Sequence, residues 1–330
     1  VRLAALIFAG FALLLAPALA ATANVGFEEV KIANGTEPPL TAGIWYPTDA
    51  PAAAHALGPF TQTVAPGASI VGQGLPLVEL SHGGGGSYKD RYDTALALAH
   101  AGFVAAAVSH AGDTYKDQSQ VLRFWRRSAQ LRRLVTYMLH EWPQHGRLDG
   151  SRVGALGFSN GGFAVLVAAG GVPDLSRAGP YCQSHPQHDL CRALTQGGVN
   201  PWHLGSDAPA DAWTPDPRVR AAVIAAPAFG FAFGRAGLKN VRIPIQLWRA
   251  ADDTHQPNPW YDEAVRLALP QAPEYHVVRG AGHFDFLPPC GPRLASRAPL
   301  ICADRLGFDR AAFHTEFNRD IVTFFRRSLG

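Results

Sequence analysis

The sequence has no internal repeat, no charged low-complexity tract, no second long apolar run and little net charge, and each absence narrows what the chain can be. Beyond residue 20 nothing approaches the roughly twenty consecutive apolar residues that a membrane-crossing helix needs, so no stable span is expected in the body of the protein. A net charge of +3 over 330 residues is too weak for a nucleic-acid footprint. Cysteine is scarce, at four, and no Cys-x-x-Cys occurs; His185 and His188 have no tight metal spacing with the cysteines, which argues against zinc. No Gly-Lys-Ser/Thr follows the one long glycine run, so that run is not a phosphate loop.

What is present is a 47% hydrophobic chain, long enough to bury a large core in one domain. Arg2, an uncharged apolar stretch over residues 3–15 and Pro17-Ala18-Leu19-Ala20 read as a secretory leader over residues 1–20, cleaved after Ala20 or alternatively after Ala23. Residues 21–330 are then the working domain, periplasmic or extracellular, and the net charge falls to about +2 once Arg2 leaves. An oxidising compartment lets the cysteines pair. They form two short-range couples, Cys182 with Cys191 and Cys290 with Cys302, and this local pairing is our hypothesis among the three possible because short loops close at least entropic cost. Arg123, Arg126, Arg127, Arg132 and Arg133 cluster on a segment whose apolar residues recur every three or four positions, which predicts a helix with a solvated basic face.

Apolar and amphipathic segments alternate, predicting a doubly wound, mostly parallel α/β sheet with helices on both faces. Strands are expected at residues 43–46, 77–80, 103–108, 152–156, 219–225, 243–248 and 275–278, and helices at 89–101, 121–139, 162–169, 260–269 and 310–327. Residues 172–217 break the rhythm and are expected to form a lid or insertion; residues 288–307 are expected to form a second stapled loop.

Gly157-Phe158-Ser159-Asn160-Gly161 joins a strand-like run to a helix-like one. Glycines two residues either side of a serine let the backbones of a tight strand-to-helix turn approach each other and leave the hydroxyl exposed. A serine hydroxyl needs a base to take its proton and a carboxylate to orient that base. Both follow at expected strand ends, Asp252 or Asp253 after residues 243–248 and His283 after residues 275–278, in the order Ser, Asp, His. His82 and His110 are expected to be scaffold residues, and His255 to serve in a pocket or at the surface. Phe158, Phe229, Trp260 and Phe284 flank the motifs and are candidates for an apolar substrate pocket.

With this elbow, acid loop and histidine loop the chain resembles the α/β-hydrolase superfamily, most nearly its dienelactone-hydrolase-related and platelet-activating-factor-acetylhydrolase-like secreted bacterial members. The resemblance implies that Ser81-His82-Gly83-Gly84-Gly85-Gly86 supplies an oxyanion donor, the Gly84 N–H, with the Asn160 N–H as the second. It aligns Ala250, Asp253 and Pro257 on a Gly-x-x-Asp-x-x-x-Pro acid loop, with Ala in place of Gly, and so favours Asp253. The acid position of the mammalian acetylhydrolases falls on Ala225-Ala226-Pro227-Ala228, where there is no carboxylate. The implied activity is hydrolysis of a small-molecule or lipid-like carboxylic ester by Ser159, Asp253 and His283, with no cofactor or metal required. A serine peptidase or amidase, and a silent binding protein on the same scaffold, are the alternatives. No motif encodes acyl-chain length or oligomeric state.

Overall fold

The computed structural model describes residues 24–330; the leader expected over residues 1–20, and Ala23, lie outside the described residues. Strands β1 (Asn24–Asn34), β2 (Glu37–Thr48), β3 (Ala53–Leu57), β4 (Phe60–Pro66), β5 (Leu75–Ser81), β6 (Val104–Ser109), β7 (Leu148–Phe158), β8 (Val219–Ala225), β9 (Ile245–Ala250) and β10 (Glu274–Val278) form one sheet in the order β10-β9-β8-β7-β5-β6-β2-β1-β4-β3. From β6 to β10 all neighbours are parallel; β2 adds antiparallel to β6, and β1 to β2. β1 and the β3/β4 hairpin were not among the expected strands. Their charged and polar positions, such as Glu28, Glu29 and Lys31, interrupt an apolar pattern that an edge region does not require.

The helices are α1 (Tyr92–His100), α2 (Arg126–His140), α3 (Asn160–Ala168), α4 (Ala178–Ser184), α5 (Asp189–Gln196), α6 (Arg235–Leu238), α7 (Asp262–Ala268), α8 (Pro292–Arg297), α9 (Pro299–Cys302) and α10 (Arg310–Leu329). Side chains of α1 and α10 pack on one face of the sheet, and those of α2, α3 and α7 on the other. α10 starts where Asp309 Oδ1 accepts the Ala312 N–H at 2.9 Å. It buries Phe313, Phe317, Ile321, Phe324 and Phe325, a three- and four-residue spacing that makes one stripe. Each such side chain contributes roughly 1.5–3 kcal/mol on burial. Cys182–Cys191 and Cys290–Cys302 are both disulfides, the latter tying the loop before α8 to the end of α9. Among the described residues no helix is long and apolar enough to cross a membrane.

The chain runs from β5 to β6 on one side and then returns to place β7 on the other side of β5. The loops leaving β5 and β7 therefore part in opposite directions at the carboxyl edge, and the crevice between them is where a doubly wound sheet binds its ligand.

Glu79, central in β5, is fully buried with neither carboxylate oxygen hydrogen-bonded. Burial, reinforced by the Asp216 charge, pushes its carboxyl from 4.5 up to about 8 despite Arg218 and Arg132. The folded state thus keeps a proton that the unfolded state loses near pH 4.5, so stability is fully present below that pH and falls as pH rises toward 8. The slope is up to about 1.4 kcal/mol per pH unit. Glu79→Gln, neutral throughout, is expected to match the parent in urea denaturation at pH 5 and to exceed it at pH 8.5.

Candidate active site

Ser159 stands between β7 and α3 with φ 55° and ψ −119°, a conformation that a residue with a side chain rarely adopts. The two flanking glycines make it possible. A Cβ on Gly157 would lie 2.1 Å from the Gly161 carbonyl oxygen, and one on Gly161 would lie 2.2 Å from that of Ser81. The turn is pinned by hydrogen bonds from Ser159 N–H to Ala225 O and from Phe163 N–H and Ala228 N–H to Ser159 O, each 3.0 Å.

His283 arrives from the loop after β10. Its Nε2 is 3.1 Å from Ser159 Oγ and its Nδ1 2.7 Å from Asp253 Oδ2. The loop is held from behind by Asp285, which accepts the Gly282 N–H at 2.7 Å and pairs with Arg310 at 2.9 Å. All three residues, Ser159, Asp253 and His283, are buried. Burial alone would raise the Asp253 carboxyl, but the His283 charge and hydrogen bond, with the Gln256 N–H, hold it below the ordinary carboxylate value. Nearby Asp262 is driven the other way, first by burial and then by the Asp253 charge, well above the ordinary carboxylate value. Asp252 turns outward: its N–H bonds Ala281 O, and its half-exposed carboxylate lies 3.6 Å from Arg305. His255 pairs with Asp189 at 2.5 Å and sits with its ring 5.4 Å from that of His283, facing neither Asp253 nor Ser159 as a hydrogen-bond partner.

The glycine loop after β5 lies against the elbow: a Cβ on Gly83 would come within 3.5 Å of Ser159 Cβ, and one on Gly84 within 2.9 Å of Asn160 Nδ2. Arg127 clamps this loop. Its guanidinium donates to His82 O at 2.6 Å, to Gly83 O at 3.0 Å and to Asp113 Oδ2 at 2.6 and 2.9 Å, while Asp113 Oδ1 accepts the Gly85 N–H at 2.7 Å. The Gly83 carbonyl is drawn toward Arg127, and in a trans peptide the N–H points opposite to the C=O, so the Gly84 N–H faces away from the guanidinium. Asn160 opens α3, where the first N–H groups have no intrahelical acceptor and carry the positive end of the helix dipole.

The expected solvated basic face of α2 needs correction at this point. Arg127 is buried, because it falls three residues after Phe124 and four before Leu131, in line with the apolar stripe; that spacing was the available signal. His82 and His110 are buried supports. The His82 ring spans from Gly83 O, at 2.6 Å from Nδ1, to the His110 N–H, at 3.0 Å from Nε2. Burial and then the Arg127 charge lower its pKa to about 3, which keeps the ring in the neutral tautomer that these contacts require.

A cavity of about 870 Å³ opens on Ser159 and His283. Its walls are the β3–β4 turn, the glycine loop, Phe158, Phe284 and the stretch from Leu287 to Ile301, including Cys290. Phe229 and Trp260 do not line it. Phe229 stacks on Phe124 at 4.4 Å within the core, and Trp260 packs on His185 and His188, so adjacency to a motif in sequence did not carry these two rings to the cavity. None of the lining residues comes from 172–217 either; α4 and α5 bury Tyr181 and Leu194 against the core beneath α7. Changing either pair, Cys290–Cys302 or Cys182–Cys191, to alanine is expected to lower Tm in a thermal melt. Each crosslink constrains the unfolded chain by roughly 3 kcal/mol.

No protein-family model matches the sequence, and no curated protein matches it. Among solved structures it is similar to a ferulic acid esterase from Streptomyces cinnamoneus, with TM-score 0.60 and 21% identity over 96% of this chain and 92% of that one. It is also similar to a dienelactone hydrolase from Anabaena variabilis, with TM-score 0.52 and 16% identity over 93% and 100%. At these identities the likeness is one of fold, and the chain has the α/β-hydrolase fold.

Proposed function

We propose that this α/β-hydrolase-fold chain is an exported serine hydrolase that cleaves a carboxylic ester through an acyl-enzyme on Ser159. The observation that carries the reading is the unbroken relay from Asp253 through His283 to Ser159, at 2.7 and 3.1 Å, opening on the cavity. In the proposed reaction Ser159 Oγ attacks the ester carbonyl carbon as His283 Nε2 takes its proton. The Gly84 and Asn160 N–H groups stabilise the carbonyl oxygen as it becomes negative, by roughly 3–4 kcal/mol each. His283 passes the proton to the departing alcohol, and water then repeats the attack to release the acid. Every step draws on side chains and backbone of the chain itself. The mostly apolar walls around Phe158, Phe284, Leu294 and Ile301 suit a small-molecule or lipid-like acyl or aryl group.

Export is supported by the two disulfides and by the leader-like residues 1–20. The test is hydrolysis of p-nitrophenyl acetate and butyrate by protein beginning near residue 21, beside matched anilides. Turnover of the esters is expected. Activity on anilides with none on esters would overturn the reading in favour of an amidase or peptidase.

A further inference from the structure

Gln256 touches the reacting oxygen, and nothing in the triad chemistry accounts for it. Its Nε2 lies 3.1 Å from Ser159 Oγ, as close as His283 Nε2, and its backbone N–H donates to Asp253 Oδ1 at 2.7 Å. The side chain is buried, yet its Oε1 has no hydrogen-bond partner among the described residues. Its amide is therefore held by the bond to Ser159 and by no other. An unpaired buried carbonyl is costly, so the only side-chain bond that repays the placement of this amide is the one to the reacting oxygen.

The donor count assigns the geometry a role. Asp253 takes the Nδ1 hydrogen of His283, so Nε2 is an acceptor and the Ser159 hydroxyl donates to it. An amide nitrogen can only donate, so Gln256 takes an Oγ lone pair and keeps the hydroxyl hydrogen aimed at His283. Resting on the serine-hydrolase reading above, we infer that Gln256 is a catalytic residue for deacylation, acting on Ser159 Oγ as the leaving oxygen. In acylation the Oγ–carbon bond forms and the bond from that carbon to the alcohol oxygen breaks, its electron pair leaving on that oxygen, while the Oγ proton moves to His283 and on to the departing alcohol. In deacylation water adds to the carbonyl carbon and gives a proton to His283; the carbon–Oγ bond then breaks, its electron pair stays on Oγ, and the His283 proton returns there. A hydrogen bond from Gln256 stabilises that electron pair as it arrives. The same bond makes free Oγ a slightly weaker nucleophile, so its loss slows deacylation selectively.

The experiment is pre-steady-state hydrolysis of p-nitrophenyl acetate by Gln256→Met, which keeps length and loses the donor, together with phosphonylation of Ser159 by a p-nitrophenyl phosphonate. Phosphonylation reads attack without deacylation. Expected are a burst of about one p-nitrophenolate per active site, kcat and KM both lowered tenfold or more, and kcat/KM and phosphonylation within about threefold of the parent. Gln256→Glu puts an acceptor against the hydroxyl, draws its proton away from His283, and should slow phosphonylation at least tenfold; it also serves if the Met variant does not fold. Parent-like kinetics in either folded variant, or loss in Gln256→Met of turnover and phosphonylation together with no burst, overturns the inference. A parent protein inert to both reagents marks failure of the serine-hydrolase reading instead.

Discussion

Ser159→Ala is expected to lower kcat for p-nitrophenyl butyrate by roughly 10⁵–10⁶, the range seen when a serine nucleophile is removed from such a relay. The change should leave the fold intact. Alanine keeps the Cβ that Ser159 already holds at φ 55°, so no backbone strain is added, and the hydrogen bonds that pin the elbow involve only its N–H and carbonyl. What goes is Oγ, with its contacts to His283 and Gln256. Comparison of Tm and near-ultraviolet circular dichroism with the parent, beside the kinetics, separates lost chemistry from lost structure. Activity within tenfold of the parent would mean that another group is the nucleophile.

The second large effect is expected at the acid. Asp253→Asn should reduce kcat by about 10⁴, because an asparagine that donates to His283 Nδ1 leaves the ring hydrogen on Nε2, pointing at the serine whose proton it must accept. The imidazolium formed during attack also loses its counter-charge. Asp252→Asn should change kcat less than threefold: its partner Arg305 is 3.6 Å away, both groups are half exposed, and such pairs contribute at most about 1 kcal/mol. Parallel kcat measurements on the two variants decide the matter, and the opposite ranking would reassign the acid to Asp252.

That pair also marks where sequence reasoning stops. Ser159, an acid at 252 or 253, His283 and the glycine loop after β5 were legible as candidates because the proposed chemistry calls for those residue types at strand ends, and the strands announce themselves as apolar runs. Choosing between adjacent aspartates depends on which way each points, and that is decided by His283 and Arg305, thirty and more residues downstream. Arg127 looked like surface because its charge outweighed its place on the apolar stripe; the compensating partner, Asp113, belongs to no motif. Gln256 was invisible for a similar reason, since glutamine three residues after an acid has no spacing rule to flag it. The cavity is the extreme case. Its walls join residues 58–60 to residues 287–301, and only the folded sheet brings these together.

The origin of one wall separates two properties that many enzymes must change together. The Cys290–Cys302 bond closes the 290–302 segment on itself, between β10 and α10, and Arg310 at the start of α10 ties to it through the Ile301 carbonyl at 2.9 Å. On the proposed reading reactivity resides at the sheet edge, under strict steric demands such as those on Gly157 and Gly161. Fit to the bound molecule then rests in part on the looped appendage, whose Leu294 and Ile301 line the cavity. On that reading, exchanges at wall residues such as Leu294 alter which molecules fit while leaving Ser159, Asp253 and His283 in place.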